Sequence, residues 1–222
     1  MKKLLSLILT GFFLASFSQM KEDLIPSLIP QTIDQKSGYI DQNGKIIIKP
    51  EYHIAMFFSE DCNLLNSPNK NVRIFGSANY ATVEKNLIAY RINKKGKRVY
   101  QYKKLDLGQC SQPYEVSRYK AFRLNGIYGL VSKETVDISG YKDFDIYPQY
   151  QMLYVLESDK ENPMMVAVMN NKFGVVDKQN RIIIPFIYDD IKTNLSWKTA
   201  HLFEVSSDGK HYFFVDRNNK SY

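Results

Sequence analysis

The sequence has one tryptophan, two cysteines and three histidines in 222 residues. His53, His201 and His211 fall in no HExxH or comparable ligand spacing, which excludes the common zinc sites. His201 and His211, on what read as paired strands, are the single pair open to a metal reading. There is no glycine-rich phosphate loop, no GxSxG elbow and no cysteine at a workable spacing from a histidine. Nucleotide-binding, serine-hydrolase and thiol-nucleophile chemistries therefore have nothing to stand on. The expectation is a non-catalytic protein with no cofactor and no metal. Past the first 14 residues, no apolar run approaches the roughly 20 residues that a membrane-spanning helix needs.

What is present begins at the N-terminus. Lys2 and Lys3 precede an apolar stretch over residues 4–14, interrupted only by Ser6, Thr10 and Gly11, and small Ala15, Ser16 and Ser18 precede Gln19. That is the layout of a secretory signal peptide cleaved near Ser18, and the stretch is short for a membrane anchor. No cysteine follows it before Cys62, so a lipid-modified N-terminus has no support. The expected organisation is a signal peptide over residues 1–18 and a single exported domain over 19–222, periplasmic or extracellular and not membrane-spanning after cleavage. Losing Lys2 and Lys3 and no acid takes the formal charge from +7 to about +5, an excess that bears on solubility and loose attraction to anionic surfaces. Export also argues against nucleic acid as a ligand. In an oxidising compartment, Cys62 and Cys110 are either a disulfide or two buried thiols.

Sixteen tyrosines and 13 phenylalanines stand in a composition that is 44% hydrophobic, and such side chains fit half-buried pleated surfaces better than helix faces. Internal repeats organise the chain. Gly38-Tyr39-Ile40-Asp41-Gln42-Asn43-Gly44-Lys45-Ile46-Ile47-Ile48 aligns without gaps to Gly174-Val175-Val176-Asp177-Lys178-Gln179-Asn180-Arg181-Ile182-Ile183-Ile184, and the match extends to Tyr52 over Tyr188. Weaker copies begin at Tyr90, Gly129 and Phe213, giving about five units. Each reads as a meander of antiparallel strands. Asn43-Gly44, Asn125-Gly126 and Asp208-Gly209 supply the positive φ of tight turns, and Pro50 and Pro185 end the pairing. Helix is expected for at most a turn or two, within 104–120 and 190–200.

The pattern aromatic-Gly-apolar-apolar-Asp, a turn with Asn or Gly, a basic residue, an apolar triplet, Pro and Tyr-Asp resembles the WG repeat of bacterial proteins. Residues 173–190 carry it most fully and residues 38–52 next, while Tyr128-Gly129 is a partial copy. Phe173 or Tyr128 stands where the namesake tryptophan is expected, and Trp197 lies between units. The resemblance implies an all-β array of antiparallel three-stranded meanders, a propeller-like ring or an open curved stack, with a generic interaction role and no catalytic residues. The last unit stops at Tyr222 after its second turn, and residues 24–33 are expected to supply its third strand and close a ring, as in propellers.

Two recurring features have competing readings. Asp41, Asp177 and Asp216 each precede a turn, where a carboxylate accepts backbone N–H groups; this is favoured over a carboxylate cluster. Around one hairpin, Arg91, Lys94, Lys95, Lys97, Arg98, Lys103 and Lys104 are interleaved with Tyr90, Tyr100 and Tyr102. Strand alternation places Arg98, Tyr100 and Tyr102 on one face, a strip suited to an anionic glycan, a lipid head group or an acidic protein. The candidate partner-binding residues are therefore Arg91, Lys94, Lys95, Lys97, Arg98, Tyr100, Tyr102 and Lys103. Solvated charge guarding an edge is the bland alternative. The partner expected of the array is another protein, and the alternative is an anionic envelope polymer or lipid.

Overall fold

The computed structural model describes residues 25–222 apart from 111–115, 136, 137, 139 and 158, so the leader expected at 1–18 lies outside it. Turn chemistry sets the hairpins. Asp34-Gln35, Asn86-Leu87, Asn125-Gly126 and Asn170-Asn171 each hold both residues at positive φ, between 49° and 90°, the turn whose twist matches paired antiparallel strands. A second turn recurs at Asp41, Asn93, Asp177 and Asp216. In each, the side-chain Oδ1 accepts the N–H groups two and four residues on, at 2.9–3.0 Å. The residue three positions on, Gly44, Gly96, Asn180 or Asn219, has positive φ. The recurring aspartates are thus turn acceptors, as the repeat pattern led us to expect.

These turns build five antiparallel sheets. The first holds β1 (Ile29–Ile33), β2 (Lys36–Ile40) and β3 (Ile46–Tyr52). The second holds β4 (Ile54–Phe58), β5 (Tyr80–Lys85), β6 (Ile88–Asn93) and β7 (Arg98–Gln101). The third holds β8 (Tyr119–Leu124), β9 (Ile127–Ser132) and β10 (Ile146–Tyr150). The fourth holds β11 (Met152–Val155), β12 (Met164–Met169), β13 (Lys172–Asp177) and β14 (Ile182–Tyr188). The fifth holds β15 (Asp190–Ile191), β16 (Phe203–Ser206) and β17 (Tyr212–Val215). Neighbours in sequence are neighbours in each sheet. Short helices α1 (Cys62–Leu65) and α2 (Ser196–Ala200) and 3₁₀ turns at Arg73–Gly76, Lys104–Asp106 and Tyr141–Asp143 fill the longer links. The turns at 104–106 and 196–200 fall in the segments where helix was expected.

The sheets do not stack in chain order. Tyr39, Ile48 and Tyr52 of the first pack on Ala81, Val83 and Ile92 of the second. Leu130, Ile146 and Tyr150 of the third pack on Met165, Ala167 and Val176 of the fourth, whose Val166, Val175, Ile184 and Tyr188 meet Ile191, Phe203 and Val205 of the fifth. The fifth then returns to the first, with Ala200, Leu202 and Phe214 against Ile29 and Ile40. Among the described residues, no core cluster joins the second sheet to the third. The array is an open stack in the order third, fourth, fifth, first, second. Residues 29–33 form β1 and pair with β2, Ile29 opposite Ile40, so they do not complete the fifth sheet as expected; the two-residue turn at Asp34-Gln35 makes that local hairpin far cheaper in loop closure than a long-range pairing.

The repeat glycine has a definite cause. In the first, third and fourth sheets, the pairs Ser37–Tyr52 and Tyr39–Ile48, Tyr128–Tyr150 and Leu130–Ile146, and Phe173–Tyr188 and Val175–Ile184 leave one glycine opposite three residues that include a proline. This bulge drives the partner backbone onto the glycine: a Cβ on Gly38 would lie 2.4 Å from the Ile48 carbonyl oxygen and 2.7 Å from the Pro50 nitrogen. Gly38→Ala is expected to cost about 3 kcal/mol and lower the melting temperature by roughly 6–12 °C. Gly44→Ala, in open space at φ +80°, should cost only about 1 kcal/mol. Thermal melts followed by circular dichroism compare the two, and equal losses would refute the bulge account.

Candidate partner-binding surfaces

The basic hairpin β6–β7 is built, but its residues part company. The register pairs Arg91 with Tyr100 and Ile92 with Arg98, leaving Val99 as an extra residue. Such a bulge reverses side-chain alternation, so Arg98 falls on the opposite face from Tyr100. There its guanidinium lies 4.3 Å from the centre of the Tyr90 ring. The expected strip of Arg98, Tyr100 and Tyr102 therefore does not form. Lys94, Lys95, Lys97 and Arg98 are exposed around the Asn93 turn, as are Lys103 and Lys104 beyond β7. Among the described residues none of the five lysines makes a salt bridge, and Leu105 beside them is 91% exposed.

Arg91 is not on that surface at all, being only 2% exposed. The repeat register places it where the other sheets have Tyr39, Leu130, Val175 and Phe214, each facing the next sheet of the stack. Here no next sheet is packed. Instead the excursion between β4 and β5 covers the face, and Arg91 Nε donates to the Phe75 carbonyl while its Nη groups donate to Thr82 Oγ1 and the carbonyls of Ser59 and Ser77, at 2.8–3.0 Å. Tyr100 stacks on Phe75 with centroids 5.3 Å apart and donates to Asp106 Oδ2 at 2.7 Å, while Tyr102 donates to Asp61 Oδ2 at 2.6 Å. A Cys62–Cys110 disulfide ties the excursion to the segment after β7, with Cα atoms 5.4 Å apart. Three of the eight expected binding residues, Arg91, Tyr100 and Tyr102, thus serve to hold a cover on the end of the stack.

Burial, then the Asp106 and Asp61 hydrogen bonds, push Tyr100 and Tyr102 up to about 12. Burial and the neighbouring Glu51 carboxylate do the same to Tyr52, whose hydroxyl has no partner of good geometry. Its counterparts Tyr150 and Tyr188 donate instead to Asn180 and Asn219 in the turn of the next sheet, at 2.6 and 2.7 Å; the matching turn residue in the second sheet is Gly96, which has no side chain to offer. Folded-state values raised above the unfolded value of roughly 10 mean that the stability from these hydroxyls is complete below pH 10 and is lost as pH rises toward 12. Absorbance at 295 nm should show Tyr52, Tyr100 and Tyr102 ionising only together with unfolding; loss of these hydroxyl protons well before the unfolding transition would contradict this.

A second surface was not singled out by sequence reasoning. Between the fifth and first sheets lies a groove of about 1150 Å³. The Phe57 and Phe214 rings, 5.1 Å apart edge to face, form part of its wall. Ile33, Met56 and Leu195 on its rim are 39%, 54% and 56% exposed. Polar groups along it are fixed: Asn194 donates to Glu204 at 2.5 Å, the Tyr212 hydroxyl donates to Asp190, and Lys192 Nζ lies 3.9 Å from the Tyr212 ring centre. His201 and His211 do not meet, since β16 and β17 pair Phe203 with Val215 and Ser206 with Tyr212, leaving the two histidines at opposite ends of the hairpin. Among the described residues no three His, Cys, Asp or Glu side chains gather at a metal-binding distance.

The family described as WG containing repeat matches residues 38–62 and 173–194, which run from β2 to the start of α1 and from β13 past β15. None of the curated proteins is significantly similar to the chain. A solved structure titled "Crystal structure of the eukaryotic initiation factor" is similar over 87% of this chain at 10% identity, with a TM-score of 0.21. The chain spans 49% of that structure's length, and likeness at that level carries no argument.

Proposed function

Taking as premise that the chain carries WG repeats in its first and fourth sheets, we propose that it is an exported, non-catalytic repeat protein that binds another protein. The groove between the fifth and first sheets carries this reading. It is walled by aromatic and aliphatic side chains and edged by fixed polar groups, the make-up of a protein-recognition surface. Export is supported by the leader layout over residues 1–18 and by the Cys62–Cys110 disulfide, which persists in oxidising compartments. No helix among the described residues is long and apolar enough to cross a membrane.

A photoreactive phenylalanine analogue at Met56, on the groove rim, tests the reading in the protein's own cells. The expected result is a discrete protein adduct in the envelope or culture fraction that resists high salt and is absent when the analogue replaces exposed Lys45. The recovered chain should begin near Gln19. Lack of an adduct, or a chain retained in the cytoplasm with its leader intact, overturns the proposal. The unpaired lysines around Asn93 and the bare Leu105 favour a second reading, attachment to an anionic envelope glycan or lipid. That attachment would weaken steeply with ionic strength and disappear when Lys94, Lys95 and Lys97 are neutralised.

A further inference from the structure

The groove has the shape of a missing strand. In the fourth sheet, β14 pairs along β13, with Val176 opposite Ile182, Val175 opposite Ile184 and Phe173 opposite Tyr188. Its Ile184 and Tyr188 then fill the seam against the fifth sheet. The chain continues from β14 through Asp189 into β15, which pairs with β16. One segment therefore stitches two sheets together, and β3 into β4 and β10 into β11 do the same. Between the fifth and first sheets no described segment does so. Val215, the counterpart of Val176, bridges Ser221, and Tyr222 N–H bonds the Phe214 carbonyl. Beyond these, the β17 edge opposite Tyr212 is open, as is the outer edge of β1.

The backbone makes this edge competent to pair. In an antiparallel ladder, alternate residues direct both N–H and C=O to the same side. Phe214 directs its carbonyl outward to Tyr222, so Tyr212, two residues back, directs its own pair outward into the groove. Both edges, β1 through Gln31 and Ile33 and β17 through Tyr212 and Phe214, line that groove.

We infer that the groove is a strand-acceptor site, filled by an extended segment of a partner protein that adds to β17 and then crosses to β1, about ten residues in all at the rise of a β-strand. This deepens the proposed protein-binding function and rests on it. The sheets themselves state the chemistry of the occupant. It carries an aliphatic residue opposite Phe214 and an aromatic opposite Tyr212, as Ile184 and Tyr188 lie opposite Val175 and Phe173. It carries a residue suited to Glu204, which stands where the fourth sheet has Val166. Among the described residues, β3, β7, β10 and β14 are each already paired in their own sheets, so none of them is free for a second copy to lend.

The test uses the chain's own grammar as the probe. A labelled synthetic peptide of residues 181–191 is titrated into the purified protein and followed by fluorescence anisotropy, with backbone amide exchange read by mass spectrometry. The expected result is saturable 1:1 binding that slows exchange of the 210–214 and 29–33 amides. Binding should weaken at least tenfold for a peptide with Ile184→Asp and Tyr188→Asp, and for protein carrying Tyr212→Pro, which removes one ladder donor. If that variant fails to fold, the exchange pattern on the unaltered protein decides alone. No saturable binding, equal binding of the charged peptide, or protection elsewhere overturns the inference. Self-association of the protein that protects 210–214 overturns it in favour of a second copy. A cross-linked partner at Met56 without peptide binding refutes strand addition and leaves the protein-binding function standing, whereas peptide binding without any cellular adduct supports the strand site and refutes that function.

Discussion

Replacing Arg91 with methionine should lower the melting temperature by roughly 10 °C and free the excursion between β4 and β5 before anything else unfolds. Methionine approximates the length of the arginine side chain, so the cavity left at this 2%-exposed position is small. The loss comes from hydrogen bonding. The carbonyls of Ser59, Phe75 and Ser77 all accept from this one guanidinium; the Ser77 carbonyl keeps the Tyr80 N–H at 3.2 Å when it is removed, so the loss falls on Ser59 and Phe75. Leaving buried acceptors unmet costs about 1–3 kcal/mol each, reduced where the segment relaxes into water, so about 4 kcal/mol is expected. Because the acceptors lie on the cover rather than in the sheet, limited proteolysis should cut first within residues 59–79. Arg91→Lys should recover only part of the loss, since an ammonium cannot span the positions that a planar fork reaches. A methionine variant that melts within 2 °C of the unaltered protein would mean that the cover is held by something else.

The same residue marks where sequence reading succeeded and where it failed. Hairpins, turn aspartates and the first and fourth sheets were legible because their causes are local: a two-residue turn, an Asx acceptor and a glycine all act within a few positions. The basic cluster around Arg91 was read as a surface strip because its cations were weighed by composition. Aligning Asn93 with Asp41 and Gly96 with Gly44 would have put Arg91 at the inward position of Tyr39, and a buried arginine there calls for a cover rich in carbonyls. The third sheet was only partly recognised because residues 133–145 separate Ser132 from Ile146, hiding the Ile146, Pro148 and Tyr150 that complete its unit. The bulge at Val99 leaves no mark in the sequence that distinguishes it from a regular strand. Stack order was illegible for a different reason, since it depends on which sheet faces find one another, and the same apolar face fits any neighbour.

Removing the disulfide by Cys62→Ser with Cys110→Ser should cost about 4 kcal/mol, the loop-closure entropy released to the unfolded chain by a link across 48 residues. A melting temperature lower by about 10 °C follows. The native cover keeps other ties, Asn66 Nδ2 to the Gln109 carbonyl and Gly108 N–H to the Asn63 carbonyl, both at 2.9 Å, so the folded state itself should change little at 25 °C. Amide exchange should quicken around 62–66 and 106–110 and stay slow in β12 and β13 on the far side of the stack. Disulfide and arginine secure the same cover, one through the chain and one through hydrogen bonds, so their losses should not add. Once Arg91→Met has loosened the cover, breaking the link should lower the melting temperature by clearly less than in the unaltered protein. Full additivity would place the two ties in separate cooperative units, and the cover would then have to be treated as two pieces, one docked on β6 and one tethered at Cys110.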